Sequence, residues 1–88
     1  MSGPGLVCGF GLAVRQAREA RGWSQEQLAG QADLNRSYVG EIERGRAVAS
    51  LATVEKLAGS LGMPPSALVE RGETLVRARG ARLAAIAG

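Results

Sequence analysis

Eighty-eight residues leave room for one small domain, and the composition removes most catalytic chemistry. The chain has no histidine and one cysteine, Cys8. That excludes an internal disulfide, a Cys/His zinc site and every nucleophile–histidine pair. Eleven cations, all arginine except Lys56, face eight acids for a net charge of +3. An arginine bias suits phosphate and base recognition, and equally suits high-GC codon usage.

No stretch approaches the ~20 apolar residues of a membrane span. The start, Met1–Gly5, is uncharged and glycine-rich, unlike a signal peptide. With one unpaired cysteine, the default location is the cytoplasm. Residues 1–9 are expected to form a flexible leader, 10–71 the folded domain, and 72–88 a C-terminal tail or extra helix.

In chain order, Phe10, Val14 and Ala17 recur at helical spacing among Arg15, Arg18, Glu19 and Arg21, predicting an amphipathic first helix that Gly22 stops. Ser24 followed by Gln27 is the capping-box pattern of a second helix, with Leu28, Ala29 and Ala32 inward. After the break Asp33-Leu34, Asn35 is a good N-cap for a third helix with Val39 and Ile42 inward, closed by Gly45. Ser50 opens a fourth, in which Leu51, Val54, Leu57, Ala58 and Leu61 keep helical spacing up to Gly62. Pro64-Pro65 leads into a short fifth through Ala67, Leu68 and Val69. No stretch shows the alternation of a strand. The expected fold is all-α, five short helices, with a tail that can extend as helix.

Residues 25–44 place two helices across a turn of three or four residues, with apolar positions to hold them at a steep angle. That is a helix-turn-helix layout, whose second helix enters the DNA major groove. The run Arg18–Ala29, then Leu34–Arg46, resembles the phage-repressor-like family (Cro and lambda repressor, or Xre-type) over residues 10–70. Residues 35–46 with 48–58 are also similar to the restriction–modification controller subgroup. Two positions depart from the family pattern: Asp33 stands where glycine is usual in the turn, and Ala49 where proline often precedes the fourth helix.

The resemblance implies a homodimeric, sequence-specific transcription regulator that binds double-stranded DNA at a palindromic operator. It also implies an ion pair between Arg18 and Glu43, which keeps Glu43 out of base reading. Within a recognition helix at about 35–44, Arg36 and Ser37 occupy the first exposed turn, where arginine can fork onto guanine and serine can adapt. Ser24, Gln25 and Asn35 stand at helix starts, where phosphates bind. Tyr38 can contact phosphate or cover the helix flank, and Gly40 leaves room for a close approach. Glu41 can accept from cytosine or reject wrong bases. Arg44 and Arg46 suit phosphates. Leu61, Met63 and Leu68 are the expected dimer interface, with Leu75 and Val76 as further candidates.

Charge alone is a poor guide, since residues 10–46 sum to only +1, six arginines against five acids. Most of the excess lies in 71–82, four arginines against Glu73. No cofactor, metal or small-molecule ligand is expected, and no enzymatic activity. Gly9-Phe10-Gly11 follows no strand and Val14 replaces the third glycine of a dinucleotide loop. The rival reading is an antitoxin-like interaction module acting through residues 71–86, whose apolar side chains have no assigned partner.

Overall fold

The computed structural model describes residues 5–87, with side chains as far as Arg79. Among the described residues there are five helices and no strand: α1 (Leu6–Ala20), α2 (Gln25–Ala32), α3 (Arg36–Glu43), α4 (Leu51–Ser60) and α5 (Pro65–Ala87).

Local chemistry sets most of the boundaries. At α2 the Ser24 hydroxyl accepts from the Gln27 N–H while the Gln27 amide oxygen accepts from the Ser24 N–H, at 3.1 and 2.7 Å. Both halves of the capping box are therefore made. The Asn35 side-chain Oδ1 caps α3 by accepting from the Ser37 N–H at 2.8 Å, and the Ser50 hydroxyl caps α4 by accepting from the Thr53 N–H at 3.1 Å. Gly22, Gly45 and Gly62 all turn the chain with φ near +70°. Asp33 does the same between α2 and α3 at φ +56°, a region L side chains occupy at some cost.

Each helix sends at least one fully buried side chain to a shared centre: Val14, Leu28, Val39 with Ile42, Leu57 and Leu68. Burial of each contributes about 1.5–3 kcal/mol. Leu51, which shares the helical spacing of Val54, Leu57, Ala58 and Leu61, is 88% exposed.

The two ends differ from the expected domain limits. Leu6–Gly9, expected in a flexible leader, form the first turn of α1; residues 1–4 lie outside the described residues. The expected boundary at 71/72 falls inside α5, which is a 23-residue helix rather than a short one. The physical reason is glycine used for contact. A Cβ on Gly9 would strike the Gly72 carbonyl oxygen, and one on Gly72 would come within 2.8 Å of the Phe10 Cα. Bare backbone lets α1 and α5 cross closely, with Leu75 and Val76 extending the contact. The side chains of Arg82, Leu83 and Ile86 lie outside the described residues.

Candidate nucleic-acid interface

Helix α3 separates an anchoring side from an exposed side. On the anchoring side Val39 and Ile42 fill the core, and the Glu43 side chain is only 2% exposed. An isolated carboxylate there would be costly. Arg18 of α1 meets it with a two-pronged contact, Nε to Oε2 at 2.7 Å and Nη2 to Oε1 at 3.0 Å. The remaining Nη1 donates to the Trp23 carbonyl at 2.7 Å, and the Gln25 amide donates to Glu43 Oε1 at 3.0 Å. The bond to Glu43 raises the Arg18 pKa above its ordinary value, with burial opposing. One carboxylate thus ties together α1, the turn after it, α2 and α3.

On the other side, Arg36 and Ser37 are exposed in the first turn. Among the described residues, neither side chain has a hydrogen-bond partner within the protein, and only the Ser37 backbone N–H is engaged. Helical spacing continues their row through Gly40 and Glu41 to Arg44. Gly40 does not leave an open hollow. A Cβ there would lie 3.1 Å from Arg44 Nη2 and 3.4 Å from Gln25 Oε1, so its bareness admits the protein's own arginine. Glu41 accepts from Arg44 Nη2 at 2.6 Å. That hydrogen bond lowers the Glu41 pKa, helped by the charges of Arg44 and Arg46 and opposed by partial desolvation. Arg46 is exposed in the loop that follows, its backbone N–H bound to the Glu41 carbonyl at 2.8 Å.

Several expected contact residues have work inside the domain. The Ser24 hydroxyl and the Asn35 side-chain Oδ1 are capping groups, and the Gln25 amide is drawn to Glu43. At the start of α2 the N–H groups of Gln25 and Glu26 are unpaired within the helix. Tyr38 is half-buried, its hydroxyl 3.4 Å from both the Val48 carbonyl and Thr53 Oγ1, so it leans on the loop before α4. Trp23 packs against the core with Arg21 stacked 5.0 Å above its ring.

Of the expected dimer contacts, Leu61 is 5% and Leu68 0% exposed. Both are packed in the core, whereas Met63, Leu75 and Val76 are half-buried. The Gln25–Glu43 brace was missed from the sequence, since it joins residues 18 apart. The Glu41–Arg44 pair carried a signal in its i, i+3 spacing.

A short helix braced from behind, presenting arginine and serine on an open face after a tight turn, defines a helix-turn-helix DNA-binding domain. A family model described as helix-turn-helix (HTH_3) matches residues 14–68. The chain belongs to this Xre-type family of DNA-binding transcription regulators. It is 45% identical over 67 residues to the immunity repressor protein of Bacillus phage phi105, covering 76% of this chain and 46% of the repressor. The match thus spans under half the length of that relative. Control protein C.BamHI of Bacillus amyloliquefaciens is 44% identical over 62 residues, 69% of this chain and 76% of its own. The crystal structure of the restriction–modification controller protein C.AhdI from Aeromonas hydrophila superposes with a TM-score of 0.69 at 45% identity, over 70% of this chain and 94% of that one. Among the described residues no helix is long and apolar enough to cross a membrane.

Proposed function

We propose that the chain is a homodimeric, sequence-specific regulator that lays α3 in the major groove of a palindromic operator. The observation that carries this reading is the unengaged pair Arg36 and Ser37 at the start of α3, whose other side is fixed by the Arg18–Glu43 contact. Arginine at such a site forks onto guanine O6 and N7. The free N–H groups of α2 and the side chains of Arg44 and Arg46 take phosphates on either side. With a net charge of only +3, a single domain has little non-specific attraction to supply. Two copies reading half-sites ~34 Å apart supply the missing affinity. Such a regulator works in the cytoplasm, beside the genome of its host cell.

Support for regulation comes from the repressor and controller relatives. The rival reading rested on apolar side chains without partners in the C-terminal segment. Leu75 and Val76 now have partners, packed against α1, which removes that motive for the described residues.

Selection from random duplexes, followed by binding of the enriched sequence at two salt concentrations, tests the reading. A palindromic consensus with a salt slope of several phosphates is the expected outcome. No enrichment over many rounds would overturn it.

A further inference from the structure

Side chains on a helix lean back over the turn that precedes them. Arg44, at the end of α3, therefore lies over position 40, one turn earlier, and meets bare backbone there. A Cβ at Gly40 would stand 3.1 Å from Arg44 Nη2, 3.3 Å from Nη1 and 3.4 Å from Gln25 Oε1. Glu41 Oε2 holds the guanidinium from one direction, accepting from Nη2 at 2.6 Å, and Gln25 Oε1 borders the same spot. The Gln25 oxygen is turned there for a reason. A carboxylate can only accept, so Glu43 draws the amide nitrogen inward at 3.0 Å and leaves the oxygen facing Gly40. The buried network behind α3 thus sets one wall of the seat in which Arg44 lies. The Arg44 side chain stays half-exposed in that seat, and among the described residues only its bond to Glu41 is made.

We propose that Gly40 is a positioning residue for DNA binding: its missing side chain seats the Arg44 guanidinium across α3, preset to take a backbone phosphate of the duplex. This deepens the reading as a DNA-binding regulator, on which it rests, by giving a role to a residue that itself touches no ligand. The fold supplies no other use for glycine at this position. Gly9, Gly11 and Gly72 each face the backbone of another helix, whereas the nearest atoms to a Cβ at Gly40 all belong to side chains. Its φ is not positive, and glycine inside a helix is destabilising relative to alanine. Phosphate is the partner that fits. Base edges are met by the first turn of such a helix, while the seat lies toward its far end, where a fork with unused N–H groups suits a phosphate oxygen. Holding a long side chain in place before binding removes an ordering cost, worth roughly two- to tenfold in affinity.

The test titrates a short duplex of mixed sequence with the full chain, Gly40→Ala, Arg44→Ala and the double variant at two salt concentrations, alongside urea unfolding of each. Gly40→Ala should keep or raise the urea midpoint, because alanine is the better helix former and only the tip of a flexible side chain has to move. Its binding should nonetheless weaken roughly two- to tenfold. Arg44→Ala should reduce the salt slope by about 1. In that background Gly40→Ala should cost nothing more, since no guanidinium remains to be displaced. Binding by Gly40→Ala as tight as the parent's overturns the proposal. An equal loss in the Arg44→Ala background does so too, because the added methyl would then be meeting DNA directly. A lowered urea midpoint for Gly40→Ala, or an unchanged salt slope for Arg44→Ala, also overturns it. A parent that binds no duplex removes the regulator reading and this proposal together. A parent that selects an operator which Gly40→Ala binds equally well removes the proposal alone.

Discussion

Gly11 of α1 lies directly beneath Ile42 of α3, so close that a Cβ on the glycine would run into the Ile42 carbonyl oxygen. The same Cβ would be 3.0 Å from the Glu43 carbonyl oxygen. Both obstacles are backbone and cannot swing aside. Gly11→Ala should therefore push α3 off α1 and cost about 1–3 kcal/mol or more, read as a lower urea midpoint. Because the displaced element is the proposed recognition helix, DNA affinity should fall beyond what the unfolded fraction explains.

The Arg18–Glu43 pair should behave as a buried pair does. Removing one partner leaves the other uncompensated at 11% or 2% exposure, so Arg18→Met or Glu43→Leu alone should cost about 3 kcal/mol. The double variant Arg18→Met with Glu43→Leu should cost clearly less than the sum. A thermodynamic cycle from chemical denaturation measures the coupling, and additive losses would mean that the two residues stabilise the fold independently.

Arg36 and Arg46 should fail in different ways. Arg36→Ala should cost about 1–3 kcal/mol on the selected operator and relax preference at one base position. Arg46→Ala should weaken cognate and scrambled duplexes alike and reduce the salt slope by about 1. Titrations of both variants on both duplexes at two salt concentrations separate base reading from phosphate holding.

Asp33 holds the turn at φ +56°, where glycine carries no Cβ penalty. Asp33→Gly should stabilise the domain by about 0.5 kcal/mol, the relief of strain exceeding the extra freedom of the unfolded chain. A thermal midpoint below the parent's would show that the aspartate makes a compensating contact.

Glu41 sets an acid-side prediction. Its pKa is lowered by Arg44, so the folded state favours the charged form more than the unfolded state does. The stabilisation is complete above the ordinary glutamate pKa and is lost as pH falls through the lowered one. Glu41→Gln should flatten that part of the stability profile in acid and leave the profile between about pH 5.5 and 7 unchanged. No histidine is present to add a transition there. A step near pH 6 in the parent, absent from the variant, would contradict the assignment.

What was readable in the sequence was what is decided locally. The Ser24, Asn35 and Ser50 caps and the stops at Gly22, Gly45 and Gly62 depend on neighbours a few residues away, and all six occupy those roles. Glycine was harder to read where its partner is distant. Gly9 and Gly72 look like breakers, yet sit in helices where two backbones cross. That one ambiguity shortened α1, split α5 and put a domain boundary in mid-helix. Leu51 shares the spacing of the buried positions and is exposed, because helical spacing cannot tell a side chain facing the core from one at the edge of that face. Leu61 and Leu68 were read as available because nothing local says how deep they lie. At the candidate interface, the exposure of Arg36 could be read from its place after a cap. The Gln25–Glu43 bond could not, since it depends on how two helices cross.

The division of labour within α3 has an evolutionary consequence. Its eight residues keep the anchors Val39, Ile42 and Glu43 apart from the exposed positions 36 and 37. Under the proposed function, drift at the exposed positions rewrites which operator is recognised while the scaffold stays constant. A lineage of such chains could diversify its targets without passing through an unfolded ancestor.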